Sequence, residues 1–228
     1  DIIDVGGEST RPSAAPVSEQ AELDRVVPVI EALRAESDVV ISIDTSKGAV
    51  FDAAVTAGAN MLNDIRALTG QSGMLDRVCA KRVPVCLMHM QGEPGTMQRA
   101  PHYDHVVEEV FGYLLTRGAA CLERGLSQSQ VLLDPGFGFG KSVAHNLALL
   151  KALPRLVSSG FPVLLGASRK SSLGTITGSD ERLHASVAAA CHGARSGVAV
   201  LRVHDVSPTV EALKLMSAIE ASSKAPRA

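Results

Sequence analysis

Short runs of β-branched and aliphatic residues recur along the chain, and each is followed by a stretch with a helical pattern. These runs suit strands that are buried on both faces. They span residues 2–5, 39–44, 61–65, 83–88, 131–134, 162–167 and 198–203. Between them, apolar residues spaced three and four apart predict amphipathic helices, as at Val26, Val29, Ile30 and Leu33 or at Val187, Ala190 and Cys191. Strands that alternate with helices in this way predict right-handed crossovers and a parallel sheet.

The seven predicted strand–helix units are one short of the eight that close a barrel. Because the chain begins directly in a strand, we expect an α/β fold of the TIM-type (β/α)8 barrel class with the first strand and helix missing from the sequence given. An open doubly wound sheet also accepts seven strands. The polar residues favour the barrel, since they stand at strand ends that a barrel would gather at one mouth. They are Asp4, Asp44, Asn63, His89, Asp134, Ser168 and Arg202. We expect a single domain over residues 1–228, incomplete at its N terminus.

Composition narrows the class of protein. The chain has 228 residues, of which 46% are hydrophobic, and this is enough for one sizeable core. The net charge of −2 supplies no broad basic field for nucleic acid, so a local cluster must meet any anionic ligand. Neither a signal peptide nor an apolar run of about 20 residues is evident, which predicts a cytoplasmic protein without a membrane partner. The four cysteines lack metal-site spacing, which argues against a zinc site and a disulfide framework and favours reduced, buried thiols.

Two early strand ends carry candidate chemistry. The polar loop GGESTRP after the first strand presents Thr10 and Arg11, a small hydroxyl and a forked cation, and this favours a lid over an ordinary connection. The buried strand VVISID delivers Asp44 to the mouth, where Thr45 or Ser46 can cap the next helix and leave Asp44 available. His89 at a later strand end is more often structural than catalytic in such a position.

The segment DPGFGFGKS, residues 134–142, is the most informative in the chain. The phosphate-binding P-loop pattern fails because Pro135 stands where that pattern needs glycine. The dinucleotide pattern fails too, since Lys141 occupies its third glycine position. What remains is a glycine-held turn beside Asp134. Its two phenylalanines, Phe137 and Phe139, suit contact with a flat ligand better than core packing.

Two further segments supply cations at the last strand ends. GASRKSS places Lys170 where it could be a Schiff-base nucleophile, a charge partner or a solvated side chain. In VLRVHD, strand alternation points Arg202 and His204 to the same side, which makes a compact anion clamp. Loops after the last two strands of barrels commonly hold phosphate.

The segments GGESTRP, IDTS, NDI, LMHMQG, LDPGFGFGKS, SRKS and RVHDV, in this order and over residues 1 to about 220, closely resemble dihydropteroate synthase. The resemblance implies condensation of (7,8-dihydropterin-6-yl)methyl diphosphate with 4-aminobenzoate to give 7,8-dihydropteroate and diphosphate. It implies catalytic roles for Asp44, Lys170, Arg202 and His204. The implied pterin-binding residues are Asp44, Asn63, Ile65, Met88, Asp134, Gly138 and Lys170. The diphosphate would meet Arg11, Arg202 and His204, and the aminobenzoate would meet Thr10, Arg11, Pro12, Phe139, Lys170 and Ser171.

The resemblance further implies Mg²⁺ as cofactor, sulfonamides as inhibitors and a homodimer. The family's metal-binding asparagine stands on the first strand, which is absent from the sequence given, so the metal ligand stays unassigned. Two other enzymes remain open: a pterin-binding methyltransferase domain that passes methyl to a cobalamin protein, and an aldolase that uses Lys170 as a Schiff base on a phosphosugar. A non-catalytic binding module is the third alternative.

Overall fold

The computed structural model describes residues 1–11 and 14–222, in which strands and helices alternate. The strands are β1 (Ile2–Gly6), β2 (Val40–Asp44), β3 (Met61–Asp64), β4 (Val85–Met88), β5 (Val131–Asp134), β6 (Leu164–Leu165) and β7 (Val200–Leu201). The helices are α1 (Glu19–Glu36), α2 (Gly48–Ala57), α3 (Met74–Lys81), α4 (Val106–Glu123), α5 (Val143–Val157), α6 (Ser171–Thr177), α7 (Leu183–Arg195) and α8 (Val206–Ser222). All seven predicted strands are confirmed, although β6 and β7 are shorter than their apolar runs.

The strands pair in parallel and in sequence order. One ladder runs from β1 to β5, a bridge between Leu133 and Val163 continues it, and β6 pairs with β7. In a flat sheet, β1 and β7 would lie about 29 Å apart, at about 4.8 Å per strand. Instead, Arg202 just after β7 contacts Asp4 of β1 at 2.6 Å. The sheet is therefore curved round on itself, as in a TIM barrel.

The barrel leaves a gap between its first and last described strands. No ladder joins β1 to β7 within residues 1–11 and 14–222. A cavity of about 700 Å³ lies between them and is lined by Ile2 of β1 and Val200 of β7 among others. The eighth strand stays a prediction.

Side chains of the strands form two apolar layers, as expected where alternate residues face opposite sides of a sheet. A small inner cluster fills the barrel with one side chain from each of five strands: Met61, Cys86, Leu132, Leu164 and Val200. The larger outer core joins the strands to the helices and contains Ile41, Ile43, Leu62, Val85, Leu87, Val131 and Leu133. This double burial explains the continuous apolar strand runs.

The helices bury the predicted stripes with one exception. Val26 and Ile30 of α1 are almost fully buried, whereas Val29 is 47% exposed, so its predicted place on the packed face is wrong. The four cysteines are free, and Cys79, Cys86 and Cys121 are buried as predicted. Among the described helices, none has both the length and the apolarity needed to cross a bilayer.

Candidate active site

Acidic and amide side chains meet where the first strands end. Asp44 ends β2 and lies in register with Asn63 of β3. Farther round the barrel, Met88 ends β4 in register with Asp134. Asn63 donates from Nδ2 to Oδ2 of Asp4 at 3.1 Å, and Asp4 also accepts from Nε of Arg202. Arg202 contacts Asp44 as well, through Nη2 at 3.3 Å. Residues from β1, β2, β3 and the end of β7 therefore form one connected cluster.

Lys170 is the N-cap residue of α6 and borders this cluster. Together, these residues at the mouth of the barrel are called the cup. Nζ of Lys170 donates to the carbonyl oxygen of Phe137 at 2.9 Å and lies 4.0 Å from the centre of the Phe139 ring. Burial lowers the pKa of Lys170 to about 8, against the opposing field of Asp134. Arg202 and Asp44 also act on that pKa, which places both within electrostatic reach of the ammonium.

The buried carboxylates have raised pKa values. Burial and the neighbouring Asp4 raise the pKa of Asp44 to about 7, although Arg202 opposes the shift. Burial also raises the pKa of Asp134. The amide of Gly136, which donates to this carboxylate at 2.7 Å, and the charge of Lys170 both act to lower that pKa but do not outweigh burial. Carboxylates held this far from water are strong acceptors for a ligand that brings several N–H donors.

The glycine loop after β5 is built around a buried lysine. Lys141 is only 2% exposed, and its ammonium donates to the carbonyl oxygens of Gly136, Phe139 and His89 at 2.9 to 3.2 Å. Nδ1 of His89 lies 3.0 Å away, and burial together with Lys141 lowers the pKa of His89 to about 3. His89 is a neutral structural partner here. Gly136 has φ +67°, and a Cβ there would lie 1.9 Å from the carbonyl oxygen of His89.

The two loop phenylalanines have different positions. Phe139 is partly exposed beneath Lys170, where a flat ligand can reach it. Phe137 is 2% exposed and belongs to the main core, so the prediction that it faces a ligand is wrong. The positive φ of Gly136 and Gly138 explains the difference, because these residues turn the chain and send the two rings to opposite sides.

His204 is held by Ser168 at the end of the barrel. The hydroxyl of Ser168 accepts from the His204 amide at 3.2 Å and lies 3.1 Å from Nδ1. Since burial, Arg169 and Arg202 all lower the pKa of His204, the neutral ring is favoured. The free hydroxyl hydrogen of Ser168 then donates to Nδ1, which leaves the ring proton on Nε2. His204 is thus oriented as a donor through Nε2.

Hydrogen bonds and ion pairs hold the start of the predicted lid, the loop that follows β1. Glu8 accepts from the amide of Val17 at 2.9 Å and pairs with Lys47 at 2.6 Å, and Lys47 also contacts the buried Glu22. Thr10 is partly buried and Arg11 is exposed, while Pro12 lies outside the described residues. The charge of Arg11 lowers the pKa of His204. This arginine therefore lies on the side of the mouth that holds Arg202 and His204, the predicted anion clamp.

The remaining predicted residues lie around this cup. Ile65 and Met88 are buried at the ends of β3 and β4, and Ser171 is exposed as the first residue of α6. A Cβ at Gly138 would lie 3.1 Å from Cδ of Lys170, so a larger residue there would displace the lysine stem by a few tenths of an ångström. Neither Thr45 nor Ser46 is the N-cap of α2, which is Lys47 without a side-chain bond, so that expectation is wrong.

The sequence alone assigns no role to three residues with evident positions in the site. Asp4 and Ser168 stand at strand ends, which is the one signal that marks them, and their partners lie far away in the chain. Lys141 occupies a position where the dinucleotide pattern fails, and a lysine among glycines carries no sign that it is buried. Its carbonyl partners belong to two different loops.

Comparisons with known proteins identify relatives of this chain. The family model described as pterin binding enzyme matches residues 1–204. Dihydropteroate synthase of Escherichia coli strain K12 is 48% identical over 219 residues, which are 95% of this chain and 77% of that protein. The Yersinia pestis dihydropteroate synthase in a sulfonamide drug complex has a TM-score of 0.92 at 47% identity, over 96% of this chain and 80% of that one. The Xanthomonas albilineans enzyme in complex with 7,8-dihydropteroate has a TM-score of 0.88 at 47% identity, over 99% and 80%.

Proposed function

The chain belongs to the dihydropteroate synthase family of pterin-binding enzymes, transferases of folate synthesis, and we propose that its own residues catalyse the family's condensation in the cup described above. In this reaction (7,8-dihydropterin-6-yl)methyl diphosphate and 4-aminobenzoate give 7,8-dihydropteroate and diphosphate. The observation that supports these residue roles most directly is convergence. The ends of four separate strands bring together Lys170, Asp134, Asp44 and Arg202. Their charges are close enough to shift the pKa values of Lys170 and Asp134.

The pterin binds on the acidic side of the cup. A pterin presents adjacent N–H donors on one flat edge, and a buried carboxylate accepts such a pair strongly. Among the described residues, the carboxylate of Asp134 accepts a hydrogen bond through Oδ1, from the amide of Gly136, so Oδ2 faces no competing donor. Asn63 and Lys170 complete the polar contacts, and Ile65, Met88 and Gly138 border the ring.

The diphosphate binds on the cationic side. A guanidinium has five N–H donors, and Arg202 uses Nε and one hydrogen of Nη2 on carboxylates, which leaves three for phosphate oxygens. His204 offers Nε2, and Arg11 of the lid adds a second guanidinium. As the bond between the methylene carbon and oxygen breaks, these donors stabilise the negative charge that grows on the leaving group.

The pterin left behind carries positive charge, which ionised Asp44 favours. The amine nitrogen of 4-aminobenzoate then bonds to the methylene carbon that the diphosphate has left and releases one of its protons to solvent, so no covalent bond to the protein is needed. Thr10, Phe139 and the stem of Lys170 flank the aminobenzoate ring, Ser171 at the start of α6 meets its carboxylate, and Arg11 of the lid adds a further contact to the aminobenzoate. Sulfonamides, which the Yersinia pestis relative binds, would occupy this same subsite.

We also propose Mg²⁺ as the cofactor, since this ion typically binds through substrate phosphates and only one or two protein carboxylates. Within residues 1–11 and 14–222, no group of three or more His, Cys, Asp or Glu side chains could hold a metal. The described residues therefore do not fit a metal site of their own, and none is assigned as a ligand.

The proposed setting is a cytoplasmic homodimer in which residues 1–228 form a single pterin-binding barrel domain. Family membership supports the dimer. Leu215 and Ile219, one turn apart on α8, are also more than half exposed and offer an apolar strip for a second copy. Sedimentation at micromolar concentration gives the mass directly, and a monomer would contradict this part.

The central experiment measures pyrophosphate release by the full-length protein with both substrates and Mg²⁺. We expect release that requires 4-aminobenzoate, and losses of about 100-fold or more in Lys170→Ala and Arg202→Ala, since each removes a charge next to the reacting atoms. Lys151→Ala is the matched control, because Lys151 is exposed on α5. Unchanged turnover in either site variant would remove the assigned role, and no release by the wild type would remove the function.

A further inference from the structure

One carboxylate oxygen joins the two halves of the proposed site. Oδ2 of Asp4 accepts from Nε of Arg202 at 2.6 Å and from Nδ2 of Asn63 at 3.1 Å. Arg202 belongs to the diphosphate side and Asn63 to the pterin side. The Asp4 side chain is only 16% exposed, whereas the Arg202 side chain that it holds is 45% exposed.

We propose that Asp4 is a positioning residue that fixes Arg202 and Asn63 relative to each other, and so aligns the diphosphate clamp with the pterin pocket. This inference rests on the proposed function. Asp4 touches neither substrate in this role, and its effect passes through its two partners.

For Arg202, the bond decides which edge of the guanidinium is free. Asp4 takes Nε, and Asp44 takes one hydrogen of the adjacent Nη2. Nη1 and the second hydrogen of Nη2 then form a fork that can hold a phosphate group by two parallel bonds. Without Asp4, the exposed end of this long side chain is free to rotate, and the fork loses its direction.

For Asn63, the bond decides which end of the amide faces the ligand. An asparagine amide can be flipped with little change in shape, so its neighbours set its orientation. Because an ionised carboxylate only accepts, Asp4 fixes Nδ2 toward itself. Oδ1 is then turned away from Asp4, as an acceptor for an N–H group of the pterin.

Asp4→Asn tests the inference, since it keeps the shape of the side chain and removes its charge. We expect kcat/KM to fall about 10- to 100-fold, as for the loss of one charge-assisted hydrogen bond. Asp76→Asn is the matched control, because Asp76 also pairs with an arginine, Arg124, but in an exposed pair that includes no residue of the proposed site. That variant should keep the wild-type rate.

A double-mutant cycle separates positioning from a general structural role. Arg202→Lys keeps the charge but removes the Nε donor, so Asp4→Asn should cost much less in that background. Equal costs in both backgrounds would overturn the inference. If Asp4→Asn fails to fold, Asp4→Glu replaces it. That variant keeps the charge and shifts the carboxylate by one methylene, and wild-type turnover would then refute positioning.

The pH profile gives a second readout. Asp44 is faced by Asp4, Arg202, Asp64, Glu22 and Lys170. Removing the charge of Asp4 lowers the pKa of Asp44, so the acid limb of kcat/KM should move to lower pH in Asp4→Asn, and an unmoved limb would contradict the inference. A wild type that releases no pyrophosphate defeats the proposed function and this inference with it. An active wild type matched by Asp4→Asn defeats the inference alone.

Discussion

Replacing Lys141 by methionine would test whether a buried amino group holds the glycine loop together. Methionine keeps an unbranched stem but donates no hydrogen bond. The carbonyl oxygens of Phe139 and His89 would lose their hydrogen-bond donor, at about 1 to 3 kcal/mol each, whereas that of Gly136 keeps the amide of Phe139. Against this, keeping Lys141 charged is costly. Its burial lowers the pKa from 10.5 to about 7, which corresponds to about 5 kcal/mol.

These opposing terms predict a stability difference that grows with pH. Below pH 7 the native lysine is charged and carries the full burial cost. This cost largely offsets the stabilisation that its hydrogen bonds provide. Between pH 7 and 10.5 the unfolded lysine still holds a proton that the native one has released, and the stability of the wild type therefore rises with pH. Methionine lacks this gain. The wild type should gain over Lys141→Met by about 1 kcal/mol per pH unit in this window.

Urea unfolding followed by circular dichroism at pH 7, 8 and 9 measures the difference. Titrating groups that do not interact with Lys141 are present in both proteins and cancel in the comparison, whereas the coulombic interaction with Lys170, which lowers the pKa of Lys141 less than burial does, stays in the difference. Lys151→Met, on the exposed side of α5, should show no trend with pH. A gap between wild type and Lys141→Met that stays constant from pH 7 to 9 would refute the account of Lys141 as a buried, weakened base.

Three further outcomes follow from the same structure. Gly136→Ala should lose about 3 kcal/mol or more in thermal unfolding, because its Cβ meets the His89 carbonyl, whereas Gly73→Ala, at φ +76° in open space, should lose only about 1 kcal/mol from strain. The wild-type kcat/KM should rise with pH through about 7 as Asp44 ionises, since burial raises its pKa; a flat profile from pH 5.5 to 8.5 would speak against a role for ionised Asp44. A sulfonamide should compete with 4-aminobenzoate in steady-state kinetics, and inhibition that excess 4-aminobenzoate does not relieve would place the drug elsewhere.

The strand ends of the barrel were predictable from the sequence because two simple signals coincide there. Buried parallel strands leave continuous apolar runs, and the first polar residue after each run marks the mouth. Asp44, Asn63 and Asp134 were found in this way without knowledge of the fold. Their spatial grouping then follows from the closure of the sheet, which brings Arg202 to Asp4.

What escaped prediction depends on contacts that no short segment encodes. The opposite positions of Phe137 and Phe139 arise from glycines with positive φ, and a glycine in sequence does not reveal the sign of its φ. Val29 fits the helical stripe of α1 but falls on its exposed side. The burial of Lys141 requires carbonyl oxygens from two loops, so it becomes visible only when both loops are in place.

The positions of the acidic and cationic side chains in the cup matter more for the proposed reaction than their number. Breaking the bond to the leaving group separates a positive pterin from a negative diphosphate. In the proposed roles, Asp44 and Asp134 act on the pterin while Arg202 and His204 act on the diphosphate, so the field of the protein would run along the direction in which charge separates. Such a field lowers the energy of the separated charges more than that of the intact substrate, where the charge has not yet moved. Neutralising one group on each side should therefore reduce kcat more than it weakens substrate binding.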